Sequence, residues 1–250
     1  MDGRHEGIEA LIRAEPSPGE FGPAAVEELP EPVRRHLCAA IEVGTPLTST
    51  VRLRMTGRIR VGRRWLPFRA DETLTPHRGF VWSARVAGVI TGSDSYLDGV
   101  GEMRWKLGGL VTVARGTGPD VSHSAAGRVA AEAIWAPTSL LPGSGVRWTA
   151  DGTDRVSLHY DLGPYPMSVT YRLDPAGRIT SLVFDRWGDP DVTGRWDWHP
   201  FGGEITRYAR FGRLSVPCEG RMGWHYGTDR WPDGEFFRFR ISALAPAGQP

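Results

Sequence analysis

From Val51 onward the chain alternates apolar and polar residues with period two, in one segment after another. In the first of these, Val51, Leu53, Met55, Ile59 and Val61 share one face, while Arg52, Arg54, Arg58 and Arg60 share the other. Successive side chains of a strand point to opposite faces, so this is the pattern of a half-buried β-strand. Comparable segments follow at 65–74, 80–86, 93–98, 100–107 and 110–115, and resume at 146–150, 155–162, 167–173, 179–184, 195–199, 204–211, 214–226 and 235–241. Turn signals such as Asp98-Gly99, Asp151-Gly152 and Asp174-Pro175-Ala176-Gly177 separate them. The 32 glycines and 20 prolines suit that many turns. Short strands at this spacing predict a meandering antiparallel sheet of about a dozen strands, and a sheet so wide twists, curls or closes.

One long segment breaks the period. In Asp120 to Gly145, residues Val129, Ala130, Ala133 and Ile134 fall on one stripe at helical spacing, and Arg128 and Glu132 lie four apart. Ser122 or Ser124 can cap the start, and Pro137 stops the pattern after Trp135. The spacing predicts a helix over about 123–136. Its alanines permit close approach to a sheet, so it is the natural filler of a curled one. A second, shorter helix is predicted at about 31–41, with Pro32 in its first turn and Val33, Leu37 and Ala40 on its apolar stripe. Residues 1–28 read as a loose or partly helical lead-in, and 29–245 as a single β-rich domain. The fold class is mainly β (α+β): a large curved antiparallel sheet or half-barrel with a central helix in its concavity.

Composition narrows the function classes. A formal charge of +1 gives no general attraction to nucleic acid. Residues 1–15 are broken by charges and lack an apolar signal core, and no run reaches the roughly 18 apolar residues of a membrane span. Two cysteines, Cys38 and Cys218, make no disulfide framework. A cytoplasmic protein is expected. The histidines show no metal-ligand spacing, and neither a Walker loop nor a GxSxG elbow is present, so no metal or cofactor is expected. Oligomeric state stays open, a homodimer included.

The segments LPEPVRRHL (29–37), RWLPFRADET (64–73), GFVWSARV (79–86), DGVGEMRWKLGGLVTV (98–113), AAEAIWAPTSLLPG (130–143) and GEITRYARFGRLSVP (203–217) resemble an uncharacterised bacterial domain family, mainly actinobacterial. That family carries no activity to transfer. The architecture also resembles the half-barrel of LolA-type lipoprotein carriers, which implies helices held over an apolar cavity for acyl chains. The absent signal peptide departs from that likeness.

Candidate site residues follow from the cup. Glu132, His123 and Arg128 lie on or near the central helix; facing inward they would be buried ionisable groups suited to acid–base work, and otherwise Arg128 and Glu132 form a rim ion pair. Arg195, Asp197 and His199 alternate with Trp196 and Trp198, and His225 lies between Trp224 and Tyr226, so an Asp and two His on neighbouring strands could hold a proton-transfer pair, or the tryptophans face the core and the polar residues water. Trp82, Trp105, Trp135, Trp148, Tyr160 and Trp224 are candidates for an apolar ligand wall, with ordinary core packing as the alternative. Glu102 and Arg104 share a facing near Asp98, as a polar patch or a solvent-side ladder. The arginine row at 52–60 reads as an anion-binding stripe or a solvated face paired with carboxylates such as Asp71.

Three functions fit these residues. The first is a binding protein for a lipophilic small molecule in an aromatic-lined cavity. The second is a cofactor-independent cyclase or isomerase of specialised, polyketide- or terpenoid-like metabolism, using Glu132, His123, His199 or His225. The third is a filled β domain acting through its surface.

Overall fold

Among the described residues, alternation of apolar residues carries thirteen strands into one antiparallel sheet. The structure, a computed structural model, describes residues 3–12 and 19–247. The strands are β1 (Val51–Val61), β2 (Arg64–Thr75), β3 (Gly79–Val86), β4 (Ile90–Leu97), β5 (Val100–Leu107), β6 (Val111–Gly116), β7 (Arg147–Asp151), β8 (Arg155–Leu162), β9 (Tyr165–Leu173), β10 (Ile179–Gly188), β11 (Asp197–Phe211), β12 (Leu214–Trp224) and β13 (Glu235–Pro246). They lie in the order β6-β5-β4-β3-β2-β1-β13-β12-β11-β10-β9-β8-β7. The first six and the last seven each form a meander, joined where β13 returns beside β1.

The described residues also form four α-helices: α1 (Gly3–Ile12), α2 (Glu31–Ala40), α3 (Pro119–Glu132) and the short α4 (Trp231–Gly234). Part of the lead-in is therefore helical, and α1 packs on β2, β3 and β4; residues 1–2 and 13–18 of it lie outside the described residues. Helix α3 touches β3, β4 and β5 on one limb of the sheet and β9 and β10 on the other. Strands β5 and β10 have seven strands between them in the sheet order, so a single helix reaches both only because the sheet curls around it. Tyr96 on β4 closes the curl from the other side, donating its hydroxyl to the Leu162 carbonyl at 2.7 Å.

Three details differ from the sequence expectation. Helix α3 begins at Pro119, with Gly118 (φ 103°) as its N-cap and no side-chain cap bond. Pro119 is favoured in the first turn because its missing N–H is one that a helix start leaves unpaired anyway. Ser122 sits inside the helix, bonds back to the Gly118 carbonyl at 2.8 Å and accepts from the Gly101 N–H at 2.9 Å. Secondly, the close approach of α3 is made by glycine as well as alanine. A Cβ on Gly101 would lie 2.8 Å from the Ser122 Cα, and one on Gly127 3.1 Å from the Arg186 Cγ. Thirdly, 195–199 and 204–211 belong to one long strand, β11. Gly202 and Gly203 do not break it: Cβ atoms there would meet the Leu182 and Arg221 carbonyl oxygens at 2.1 and 1.9 Å, so they mark close backbone passage within the sheet.

A candidate aromatic cavity with a charged floor

The cavity lies between α3 and the concave face of the sheet, with a volume of about 150 Å³. Strand register puts its floor together. Glu72, Trp82 and Asp94 are cross-strand neighbours on β2, β3 and β4, and all face inward. On the far wall, Phe236, Phe237, Phe239 and Met222 of β13 and β12 face Leu182, Arg186 and Phe201 of β10 and β11. Ala131, Glu132, Ile134 and Trp135 form the roof. Phe237 stacks on Phe68 at 5.1 Å, and Trp135 meets Phe239 edge-on at 5.4 Å. Trp135 also donates to the Pro217 carbonyl at 3.1 Å, so its polar edge is satisfied away from the cavity.

Helix position brings Arg128 over this floor. Its Nε donates to Glu132 Oε1 at 2.8 Å, its Nη1 to Asp94 Oδ2 at 3.2 Å, and its Nη2 lies 3.8 Å from Glu72 Oε1. The guanidinium stacks over Phe80 and Trp82, with centroids at 4.4 and 4.7 Å. Arg128 and Glu132 therefore face inward and belong to a five-residue cluster rather than a rim pair. Asp94 also accepts from Trp105 Nε1 at 2.9 Å, and Trp105 lies behind Trp82 with ring centroids 5.7 Å apart. A Cβ on Gly92 would meet the Trp105 ring at 2.3 Å, so the missing side chain makes room for the indole.

The cluster holds three carboxyls and two guanidiniums, and its protons are not evenly held. Burial pushes the Glu72 carboxyl well above the 4.5 of a free glutamate, and the neighbouring Glu132 charge pushes it further. Both Glu72 oxygens and Glu132 Oε2 are enclosed without any N–H or hydroxyl donor. A proton held by Glu72 and donated to Glu132 satisfies the pair.

Arg186 is the unusual member. Its Nε donates to the Ser124 carbonyl at 3.1 Å, and the guanidinium stacks over Phe201 at 4.6 Å and Trp224 at 5.0 Å. Among the described residues no carboxylate lies within ion-pair distance of it. Burial, with the like charge of Arg128, brings its pKa down to about 10. Its terminal N–H groups are thus the cation of the cavity wall with no anionic partner in contact. Trp224 is held flat behind it, because a Cβ on Gly188 would meet its ring at 2.2 Å.

Of the sequence candidates, Trp82, Arg128, Glu132 and Trp135 line this cavity, and Trp105 and Trp224 support it from behind. The others lie elsewhere. Trp148 packs on His36 and Tyr171 and donates to the Leu140 carbonyl at 2.9 Å, in the core beneath α2. Tyr160 meets His77 edge-on at 5.6 Å. His123 stacks on Tyr165 and Trp187 at 4.6 and 5.5 Å, away from the cavity. His199 and His225 do come together, with rings 5.6 Å apart, but His199 packs on Trp224 and neither ring reaches the cavity. Burial and Arg230 lower the His225 pKa, favouring the neutral ring. Arg104 pairs with Glu102 at 2.8 Å, Asp98 pairs with Arg78 at 2.6 Å, and Arg54 with Asp71 at 3.4 Å, all at the exposed surface.

Glu72, Asp94 and Arg186 were not singled out from sequence, though each carried a signal. Glu72 continues the inward series Phe68, Ala70, Glu72, Leu74, and Arg186 the series Leu182, Phe184, Arg186. A charge at an inward position of an alternating strand is the mark both share.

The fold and site define a curled antiparallel sheet wrapped on one helix, with an aromatic cavity and a buried ion cluster beneath it. The chain belongs to DUF6544, a family of unknown function, which it matches over residues 19–236. No curated protein matches it. It is similar in structure to a putative outer membrane lipoprotein-sorting protein domain from Vibrio parahaemolyticus (TM-score 0.42, 11% identity, 92% of this chain and 94% of that one). It is similar also to a LolA superfamily protein from Nitrosomonas europaea (0.47, 9%, 88% and 93%) and a DUF1329 family protein from Desulfovibrio piger (0.44, 10%, 100% and 96%).

Proposed function

We propose that this chain binds a lipophilic small molecule that carries an acidic head. The observation that carries the reading is Arg186: a guanidinium stacked on Phe201 and Trp224, opening on an aromatic cavity, with no carboxylate of the described residues in contact. A volume of about 150 Å³ suits a single aromatic ring or the end of an acyl chain, as dry cavities of that size hold benzene. A ligand carboxylate would gain charge-assisted bonds from the terminal N–H groups, while the phenylalanine wall takes the apolar part. A reducing, cytoplasmic setting is part of the proposal, and Cys38 and Cys218 fit it as free thiols.

Native mass spectrometry of the purified protein, followed by denaturing extraction, tests this. A retained lipophilic acid supports it. A clean apo mass, with no thermal shift against alkanoic acids, leaves the filled, surface-acting domain as the better account.

One observation favours a second reading, a cofactor-independent isomerase or cyclase. Burial and the neighbouring Glu132 charge raise the pKa of the Glu72 carboxyl, and Glu132 borders the cavity. Such a group can donate or accept a proton from a substrate held against it. Turnover of an extracted ligand by the wild type, abolished in Glu132→Gln, would establish this reading over simple binding.

A further inference from the structure

The β1–β2, β3–β4 and β5–β6 connections all lie at the same end of one limb of the sheet, and their apolar residues are turned out to solvent. Leu110 is 87% exposed, Val111 61%, Val89 55%, Val113 53% and Val61 50%. The β3–β4 and β5–β6 tips are level and touching: Ile90 pairs with Leu107, and the Gly108 N–H donates to the Val89 carbonyl at 2.9 Å. The β1–β2 ribbon projects past them, since Val86 pairs with Phe68 while Val61 pairs with Arg64. Single exposed apolar residues are ordinary, but a contiguous group on adjoining tips marks a contact surface.

At the tips of these three hairpins every charge is basic. Within 57–69, 84–93 and 103–116 there is no carboxylate, while Arg63, Arg64, Arg69, Arg85 and Lys106 flank the apolar tips. None of these five makes an ion pair among the described residues. The net charge of the chain is only +1, so the basic character is local to this rim. Apolar tips ringed by unpaired cations are the chemistry that recognises an anionic bilayer surface: side chains enter the headgroup layer while the cations meet lipid phosphates.

The rim is also continuous with the cavity. Phe68, Val86, Ile90, Leu107 and Val111 form one cross-strand row on the concave face. At its inner end Phe68 stacks on the cavity residue Phe237 at 5.1 Å; at its outer end Val111 stands exposed on the edge strand. We infer that this rim docks on anionic lipid membranes, and that the apolar row is the route between bilayer and cavity. The docking half does not depend on the ligand proposed above, because it rests on the tips and their charges alone.

Flotation of the full chain with phosphatidylcholine vesicles, with and without phosphatidylglycerol, tests it. The wild type floats with the anionic vesicles, less well with neutral ones, and less well as salt rises. Val89→Asp with Leu110→Asp, at solvent-exposed tip positions outside the apolar row, lowers the bound fraction about tenfold or more, since losing a single buried apolar side chain is already worth that much. Arg63→Glu with Arg85→Glu abolishes the preference for anionic vesicles. Both variants keep the wild-type thermal melting and cavity-ligand binding, which separates failure of docking from failure of the cavity reading. No flotation of the wild type, or flotation insensitive to both variants, overturns the inference. So does a concentration-dependent dimer in light scattering that Leu110→Asp abolishes without any effect on vesicles, since the patch then belongs to a second copy.

Discussion

Arg128 on α3 and Asp94 on β4 meet with Nη1 and Oδ2 3.2 Å apart, and this contact ties the helix to the limb of the sheet that it roofs. The same guanidinium holds Glu132 at 2.8 Å. Removing it leaves two carboxylates in an enclosed site, and breaking a buried ion pair from one side costs about 3–5 kcal/mol. Arg128→Met is expected to lower the unfolding free energy by that scale, and with it the urea midpoint. Adding Glu132→Gln to it should recover part of the loss, because one stranded charge is gone. A midpoint within experimental error of wild type would contradict the arrangement.

Glu72 predicts a pH dependence of known sign. Its folded pKa is raised, by burial first and by the Glu132 charge second, so the folded protein keeps a proton that the unfolded chain releases above 4.5. Its stabilising contribution is complete below that value and is lost as pH rises through the folded pKa, at up to about 1.4 kcal/mol per pH unit. His36 acts in the opposite direction, since burial lowers its pKa and stability is lost as pH falls below 6.5. The difference between wild type and Glu72→Gln isolates the first effect. Urea titrations between about pH 5 and 8 should show the variant gaining on the wild type as pH rises; parallel curves would refute the shared proton.

Gly188 holds a place for Trp224, whose ring passes 2.2 Å from where a Cβ would stand. Gly188→Ala must push the indole off its position under Arg186. Overpacking of this kind costs about 1–3 kcal/mol, and here it should also weaken binding of an acidic ligand. Denaturant melts and ligand titration of one variant check both.

The histidines that the sequence suggests as a proton-transfer pair are a fourth test. His199 and His225 do approach each other, at 5.6 Å, but behind Trp224. His225→Ala should therefore leave the affinity for a cavity ligand unchanged. A large loss would move the site to this side of the tryptophan.

How far this was legible in the sequence depends on the kind of signal. Strands β1, β5 and β8 fall on their expected residues, because Val51–Val61, Val100–Leu107 and Arg155–Leu162 alternate cleanly and end at glycine or charged turns. The sequence divides β11 in two because Gly202 and Gly203 look like punctuation, and only tertiary packing shows that backbone crowds them. The inward facing of Arg128 and Glu132 was one of two open readings; helix periodicity gives a stripe but not the curvature that brings β4 beneath it. Trp148 and Tyr160 lie in the core outside the cavity, because composition identifies aromatic residues without saying which strands meet. Arg186 lies outside the strand the sequence predicts, which ends at Phe184, two residues short of the charge that faces the cavity.

The central claim is that Arg186 takes the acidic head of a lipophilic ligand. The most direct measurement is quenching of tryptophan fluorescence by phenylacetate and by 2-phenylethanol, whose common ring suits the cavity and whose heads differ in charge. Trp82 and Trp135 in the cavity wall provide the signal. The wild type should bind the acid about tenfold or more tightly, the scale of one charge-assisted bond. In Arg186→Met, which keeps an apolar contact with Phe201 and Trp224, that preference should vanish while the alcohol binds as before. Equal affinity of the wild type for both compounds, or a preference that survives in Arg186→Met, would contradict the account.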